Sequence, residues 1–195
     1  MKKRKFPLFL VLGICLILAS ISLVLTFQIR MYIGMQHSQK ILSGMEQVLP
    51  ERTAGVPGTY LTSAMPVLEI EDVDYVAMLE VPSFGIVLPV ADQWDSNNLF
   101  QSPRRFYGSA YDNTLIIGGA DDPRQFGFCD KIEFGAMITV TDMTGGQFTY
   151  TVSGVDRAKH AESQWLMDAD CDLTLFCHDI YSMEYIAVRC NLAYN

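Results

Sequence analysis

Seven short runs of aliphatic, β-branched and aromatic residues, separated by turn-forming residues, constrain this chain most strongly. The runs cover residues 75–82, 86–90, 114–117, 136–141, 147–152, 173–176 and 185–190. The fourth and fifth runs are joined by Asp142-Met143-Thr144-Gly145-Gly146, a composition typical of a hairpin turn. Seven or more strands at this spacing predict an all-β domain, either a closed barrel or a sandwich.

A long apolar run precedes the predicted strands. Residues Phe6 to Phe27 are almost entirely apolar and follow Lys2-Lys3-Arg4-Lys5. As a helix rising ~1.5 Å per residue, this run reaches about 33 Å, which suffices to cross a hydrocarbon core. A cleaved signal peptide also begins with a basic patch, but its apolar core is only about 7–15 residues long and ends at a small-residue cleavage site. We therefore expect an uncleaved transmembrane anchor over residues 6–28.

The positive charge before the anchor fixes its orientation. Basic residues stay on the cytoplasmic side of a membrane, so residues 1–5 are expected to form a cytoplasmic tail and the C-terminal domain to be extracytoplasmic. Apolar residues recur near helical spacing over 29–50, which predicts a stalk helix ending at Pro50. Residues 51–70 are rich in Gly, Pro, Thr and Ser and predict a linker, leaving 71–195 for the β domain.

The distribution of charge limits the partners of the exported part. Four of the 14 Lys and Arg lie in the first five residues, whereas all 22 Asp and Glu follow residue 45. A domain this acidic argues against nucleic acid as a partner. Peptide, cell-wall and metal partners remain open.

Four cysteines lie in the predicted exported part: Cys129, Cys171, Cys177 and Cys190. An oxidising environment permits disulfides there, and four cysteines allow three connectivities among which the sequence does not choose. The absence of a C-x-x-C pair gives little support to a zinc-ribbon or thioredoxin-like site. Cys15 lies within the predicted anchor.

Two patterns suggest metal ligands, but a simpler interpretation is favoured for each. Asp168, Asp170 and Asp172 alternate before the sixth run and offer hard oxygen ligands for calcium. The same spacing is typical of an exposed strand edge. Cys177 and His178 offer softer ligands, but adjacent strand residues face opposite sides and chelate poorly. We predict no metal site and no cofactor.

Several motifs in the β region occur in the order found in one known family. They are Val81-Pro82-x-x-Gly85-Ile86-x-Leu88-Pro89-Val90, Leu115-Ile116-Ile117-Gly118-Gly119-Ala120-Asp121, Gln125-Phe126-Gly127, Ile132-Glu133-Phe134-Gly135-Ala136 and Asp172-Leu173-Thr174-Leu175-Phe176-Cys177-His178. Together they resemble the sortases, especially the compact class B-like sortases of Gram-positive bacteria, over residues 74–192. The resemblance implies a closed sortase-like β-barrel with short helices in its connections.

Sortases are cell-surface cysteine transpeptidases, and the resemblance also implies where their chemistry would lie. A cysteine attacks a peptide bond within a sorting signal, a histidine serves as acid and base, and an arginine stabilises the oxyanion. Without gaps, the positions of histidine, cysteine and arginine read Ala120, His178 and Tyr185. A methyl group transfers no proton, and a tyrosine hydroxyl is neutral at pH 7, although it can donate a hydrogen bond.

The position of the nucleophile depends on the register of the sixth run. Side chains alternate along a strand, so His178 shares a face with Thr174 and Phe176, whereas Cys177 faces the core unless a β-bulge intervenes. Asp121, beside Ala120, is expected to be a solvated loop carboxylate rather than a base. Tyr185 is more simply interpreted as a barrel aromatic.

An alternative register retains more of the chemistry. If one residue is deleted before the nucleophile, Cys177 becomes the attacking group and Arg189 the oxyanion partner. No histidine stands at residue 120 in this register either, so His178 or His160 would have to replace it.

The sequence therefore favours a membrane-anchored, extracytoplasmic sortase-like protein that is catalytically impaired. Its expected role is to bind a sorting-signal-like peptide, a pilin or a partner sortase. Two alternatives are a divergent active transpeptidase that anchors surface proteins through Cys177 and Arg189, and a structural surface module without a groove ligand.

Overall fold

The computed structural model describes residues 8–160, 162–167 and 170–193. Its helices and strands, in chain order, are α1 (Leu8–Val48), β1 (Thr53–Ala54), β2 (Leu68–Ile70), β3 (Val73–Val81), β4 (Ile86–Ala91), β5 (Arg104–Tyr107), β6 (Leu115–Gly118), β7 (Met137–Asp142), β8 (Gly146–Ala158), α2 (Ser163–Met167), β9 (Leu173–Asp179) and β10 (Glu184–Leu192). Two short 3₁₀ helices cover Pro82–Phe84 and Ser96–Asn98.

Strands β3 to β10 close into a barrel. The hydrogen-bonded order is β3, β4, β5, β6, β9, β10, β8 and β7, and β7 returns to pair with β3. The β4–β5 and β6–β9 pairs are parallel, and the other pairs in the ring are antiparallel. The prediction of an all-β closed barrel with short helices in its connections is confirmed, because closure through β7 rules out a sandwich.

The interior of the barrel is filled by one face of each strand. On β9 and β10 the inward residues are Leu173, Leu175, Cys177, Ile186, Val188 and Cys190, all at most 2% exposed. Phe126 and Phe128, from the connection between β6 and β7, enter the same core. Each buried aliphatic or aromatic side chain contributes about 1.5–3 kcal/mol, so alternation on these strands fixes which face is inward.

The stalk and the predicted anchor belong to one continuous helix, α1. Its last turns are not free, because Ile41 and Met45 are buried against Tyr75 and Met78 on the outside of β3. The hydroxyl of Ser38 also donates to the carbonyl of Gln101 at 2.6 Å. The C-terminal end of the predicted stalk is therefore part of the folded domain.

The N-terminal half of α1 presents its apolar side chains outward, including Leu16 and Leu23. Within residues 8–160, 162–167 and 170–193, no helix is both long and apolar enough to cross a membrane. The predicted cytoplasmic tail, residues 1–5, and the first two residues of the predicted anchor lie outside the described residues.

Residues 51–70, predicted as a linker, add two short strands to the barrel. β1 pairs in parallel with the start of β8, and β2 pairs antiparallel with β3. Between them, the ring of Tyr60 stacks on that of Tyr111 with centroids 3.7 Å apart. This segment is thus held against the domain at both ends.

The predicted hairpin turn joins β7 to β8 and is organised by a buried carboxylate, Asp142. Its Oδ1 accepts the backbone N–H groups of Thr144 and Gly146 at 2.8 Å each, and its Oδ2 accepts the Tyr111 hydroxyl at 2.6 Å. Burial, reinforced by the bond to Asp142, raises the pKa of Tyr111, so its hydroxyl remains a donor at neutral pH.

We expect Asp142→Ala to lower the free energy of unfolding by about 3 kcal/mol, because it removes a charged acceptor and leaves buried donors unpaired. Urea unfolding of the full chain measures the change. The matched control is Asp130→Ala, an exposed carboxylate whose ion pair with Lys131 spans 3.8 Å, with an expected change below about 0.5 kcal/mol. Equal losses in the two variants would contradict a structural role for Asp142.

Candidate active site

The three positions implied by the sortase resemblance meet at one end of the barrel. β6 and β9 run in parallel with Gly118 opposite Phe176, so Ala120 and His178 each lie two residues beyond a paired position. His178 in turn pairs with Tyr185 on β10, and their ring centroids are 4.6 Å apart. Ala120, His178 and Tyr185, which we call the outer row, are all half-buried.

His178 and Tyr185 of the outer row lie on the outward face of the sheet, beside an aromatic cluster. The ring of Phe176 packs against those of Trp94 and Phe106, with centroids 5.6 and 5.5 Å away. A Cβ on Gly118 would come within 2.6 Å of the Trp94 ring and 2.7 Å of the Phe176 ring. Glycine at residue 118 therefore allows these rings to cover the strand just before the outer row.

Ala120 is fixed by backbone contacts rather than by a catalytic partner. Its N–H donates to Oε1 of Gln125 at 2.8 Å, and its carbonyl accepts the N–H of Phe126 at 3.0 Å. The amide of Gln125 also donates to the carbonyl of Leu99 at 2.9 Å. These bonds hold the turn after β6. The side chain of Ala120 in this turn is only a methyl group.

Asp121 points toward the turn between β9 and β10. Burial raises the pKa of this carboxylate, and the nearby charge of Asp179 adds to the effect, while a hydrogen bond from the backbone of Ile180 opposes it. The carboxylate is only partly buried. The charged side chains that act on it are Asp179, Asp130 and Lys131.

Cys177 lies on the other face of β9, inside the barrel. The pairing of β9 with β10 is continuous from Asp179 opposite Glu184 to Leu173 opposite Cys190, without a register shift. The thiol is 2% exposed, and its Sγ donates to the carbonyl of Phe126 at 3.7 Å. Alternation along this regular strand thus separates Cys177 from His178.

Arg189 lies on the outward face, and its guanidinium is almost fully bonded. Nε donates to Oδ2 of Asp156 at 3.0 Å, Nη2 to the carbonyl of Trp165 at 2.9 Å, and Nη1 to the carbonyl of Leu166 at 3.1 Å and Oγ1 of Thr174 at 3.0 Å. The same guanidinium lies 5.0 Å from the centroid of the Trp165 ring. Arg189 therefore fastens α2 to the sheet.

The structure does not bring Cys177 and Arg189 together. Arg189 pairs with Thr174, three positions along β9 from Cys177 and on the opposite face. His160, the other histidine considered for this register, is exposed in the connection between β8 and α2. Sequence reasoning did not anticipate the contacts between Arg189 and α2, because a helix of five residues in a loop gives no periodic signal.

Asp172, one of the three aspartates considered as calcium ligands, has a structural partner. Its Oδ2 accepts the backbone N–H of Leu192 at 2.7 Å. Asp168 lies outside the described residues, and among those described no group of three or more His, Cys, Asp or Glu side chains is placed to hold a metal ion.

A cavity of about 860 Å³ lies at the opposite end of β10, between the 52–63 segment and the barrel. Its lining includes Tyr60, Gln147, Thr149 and Leu192. Leu192 is seven residues from Tyr185, or roughly 23 Å at ~3.3 Å per residue. The sequence offered no motif for this cavity, and it is separate from the outer row.

Comparison with known proteins relates the fold to a family. No protein-family model matches the sequence, and no curated protein matches it. Among solved structures, sortase C1 from Streptococcus agalactiae is 22% identical, with a TM-score of 0.56 over 65% of this chain and 72% of that one.

Two further solved structures agree. Sortase A from Corynebacterium diphtheriae is 16% identical, with a TM-score of 0.55 over 85% of this chain and 83% of that one. Sortase C from Clostridium perfringens, solved with the C-terminal cell wall sorting motif, is 19% identical, with a TM-score of 0.53 over 69% of this chain and 79% of that one. The barrel described above is therefore the sortase fold.

Proposed function

We propose that this chain is a membrane-anchored, extracytoplasmic protein of the sortase fold, nearest to the compact class B-like group, that has lost transpeptidase chemistry and acts by binding. The ligand is a sorting-signal-like peptide, presented alone, on a pilin or by a partner sortase. The observation that carries the proposal is the outer row, where His178 pairs with Tyr185 and Ala120 follows β6 two residues beyond its last pair with β9.

The composition of the outer row supports the loss of chemistry. Acyl transfer from a peptide needs a thiolate to attack, a group that transfers the proton, and a fixed donor for the oxyanion. The outer row offers an imidazole in the position of the nucleophile and a methyl group in that of the proton-transfer group. The phenol of Tyr185 can donate a hydrogen bond, but no nucleophile stands beside it.

The positions of Cys177 and Arg189 also weigh against the active alternative. A substrate carbonyl would have to enter the barrel core to meet the Cys177 sulfur, which is 2% exposed. The guanidinium of Arg189 is engaged by Asp156, Thr174 and two carbonyls of α2 on the other face. No oxyanion formed at Cys177 would meet those donors.

Binding is supported by the apolar surface beside the outer row. The turn between β9 and β10 exposes Ile180, Tyr181 and Met183 by 54%, 90% and 65%. A cluster of exposed apolar side chains beside the half-buried outer row is typical of a surface that contacts a protein or peptide. The solved Clostridium perfringens sortase C carries a sorting motif, which makes a peptide of that class the natural first ligand to test.

The anchor rests on the sequence of residues 6–28 and its basic flank. The docking of Ile41 and Met45 on the barrel would then hold the domain close to the membrane in a fixed orientation. A peptide presented at the cell surface would meet the outer row without a long flexible tether.

We expect a thiol introduced into the outer row to react where the native thiol does not. A sorting-motif peptide carrying a cysteine-directed electrophile should label residue 178 in His178→Cys and leave Cys177 of the unaltered full chain, kept reduced, unlabelled, because residue 178 is half-buried on the outward face whereas Cys177 is buried. Peptide mapping by mass spectrometry measures the labelling at each cysteine. In the control Cys177→Ala/His178→Cys, labelling should persist. Labelling of the unaltered chain that is lost in Cys177→Ala would instead establish the active alternative.

We expect a bulky side chain in the outer row to obstruct the peptide. Ala120→Trp should weaken binding of a fluorescent sorting-motif peptide at least about tenfold, corresponding to ~1.4 kcal/mol. Fluorescence anisotropy with the full chain measures the affinity. Met137→Trp is the matched control, since Met137 is 56% exposed on β7, which is separated from β9 by β8 and β10. Equal affinities in all three proteins would favour the structural module.

We expect charges within the apolar run to release the chain from membranes. In Leu16→Lys/Leu18→Lys each lysine costs ~3 kcal/mol at the centre of a span, so the variant should appear in the soluble fraction after an alkaline carbonate wash. The unaltered chain should stay in the pellet, as should the control Gln39→Lys, which lies outside the run. An unaltered chain that washes off would contradict the anchor.

A further inference from the structure

Two buried cysteines from distant parts of the chain converge on one carbonyl group. The N–H of Cys129 donates to the carbonyl of Phe126 at 3.0 Å, and the Cys177 Sγ donates to the same oxygen at 3.7 Å. Cys129 is 0% and Cys177 2% exposed, and both belong to the barrel core. The Cys177 sulfur and the backbone of Cys129 therefore approach the same oxygen within the barrel core. One belongs to the connection after β6 and the other to β9.

We propose that Cys129 and Cys177 are joined by a disulfide when the chain folds in the presence of a disulfide oxidant. All five cysteines are free thiols in this structure, so the bond is a modification of the arrangement described. The inference rests on the proposed extracytoplasmic location, where oxidants of this class act on exported proteins. It does not depend on the loss of transpeptidase activity.

The other exported cysteines are poorly placed to compete for Cys177. Cys190 pairs with Leu173, four positions along β9 from Cys177, or roughly 13 Å at ~3.3 Å per residue. A disulfide requires Cα atoms within about 7 Å. The Sγ of Cys171 lies 3.3 Å from Oγ1 of Thr174, a side chain on the outward face of β9.

The reaction is a thiol–disulfide exchange in two steps. The thiolate of one cysteine attacks a sulfur of the oxidant, forming a mixed disulfide and releasing one thiol of the oxidant. The thiolate of the second cysteine then attacks the protein sulfur of the mixed disulfide and releases the other thiol. Two S–H bonds are broken and one S–S bond forms, while the two protons and two electrons end on the two thiols of the reduced oxidant.

The burial of the pair decides when the bond forms. Burial raises the pKa of Cys129 well above its ordinary value, and contact with the Cys177 thiol adds to the effect. A protonated, enclosed thiol is a poor nucleophile, so exchange in the folded barrel is slow. The bond therefore forms during folding, before the barrel closes over Phe126, and it is protected afterwards.

The test uses the full chain in detergent, unfolded with a reductant and refolded with a mixture of oxidised and reduced glutathione. Peptide mapping without reduction, with fragmentation by mass spectrometry, is expected to find one cross-link between Cys129 and Cys177. The midpoint of thermal unfolding should rise by about 10 °C relative to protein refolded with reductant alone, because the bond closes a long loop in the unfolded chain. Oxidised glutathione added to the folded, reduced chain should form the bond far more slowly.

Matched variants separate this bond from general effects of cysteine replacement. Cys129→Ala and Cys177→Ala should each lose the cross-link and the oxidant-dependent rise in midpoint. Cys190→Ala, which also replaces a fully buried thiol, should retain both. If a variant does not fold, the peptide map of the unaltered chain still decides. Alkylation of both Cys129 and Cys177 after oxidative refolding, or a bond from Cys177 to Cys171 or Cys190, would overturn the proposal.

The test also distinguishes this proposal from the proposed function. Reduced Cys177 labelled by the peptide electrophile would defeat the non-catalytic function even if the disulfide forms on oxidation. If Cys129 and Cys177 are free thiols after oxidative refolding and Cys177 of the reduced chain is not labelled, the disulfide proposal is wrong and the proposed non-catalytic function is retained.

Discussion

The hydrogen-bonded pairing of β9 with β10 is the constraint on which the candidate site depends. Its register is unbroken, and it assigns every side chain of the two strands to the core or to the outward face. A slip of one residue would turn Leu173 and Leu175 outward and bring Thr174 and His178 into the core. Each misplaced aliphatic side chain would cost about 1.5–3 kcal/mol, and each unpaired polar group would add a desolvation penalty. Core packing therefore determines where Cys177 lies.

The outward face of the same pair is fixed by a different interaction. A guanidinium as buried as that of Arg189 must have its donors satisfied, or the cost of removing it from water is not offset. Its carboxylate partner, Asp156, is 53% exposed, so this ion pair contributes little beyond about 1 kcal/mol. The two carbonyls of α2 and the hydroxyl of Thr174 are the more protected acceptors. Arg189 thus acts as a structural fastener between α2 and β10.

The sequence was sufficient where local patterning decides structure, and insufficient where distant segments meet. The alternating runs predicted the positions of β3, β4, β6, β7, β8, β9 and β10. The alternation of side chains along β9 also placed Cys177 and His178 on opposite faces. β1, β2 and β5 escaped prediction because they are only two to four residues long, too short for a periodic pattern, and form by pairing with a neighbouring strand. The approach of Cys129 and Cys177 to the carbonyl of Phe126 depends on the path of the connection after β6. The docking of α1 on β3 likewise has no local signal.

The two roles considered for Cys177 make opposite demands on its surroundings. A nucleophilic cysteine needs a lowered pKa, a nearby cation or dipole and access for a substrate carbonyl. A cysteine enclosed in a barrel core is separated from any substrate by the strand that carries it. The same enclosure protects a disulfide from exchange once it has formed. The register that places Cys177 in the core therefore makes it suitable for the proposed cross-link, and it leaves His178 and Tyr185 on the outward face for the proposed binding role.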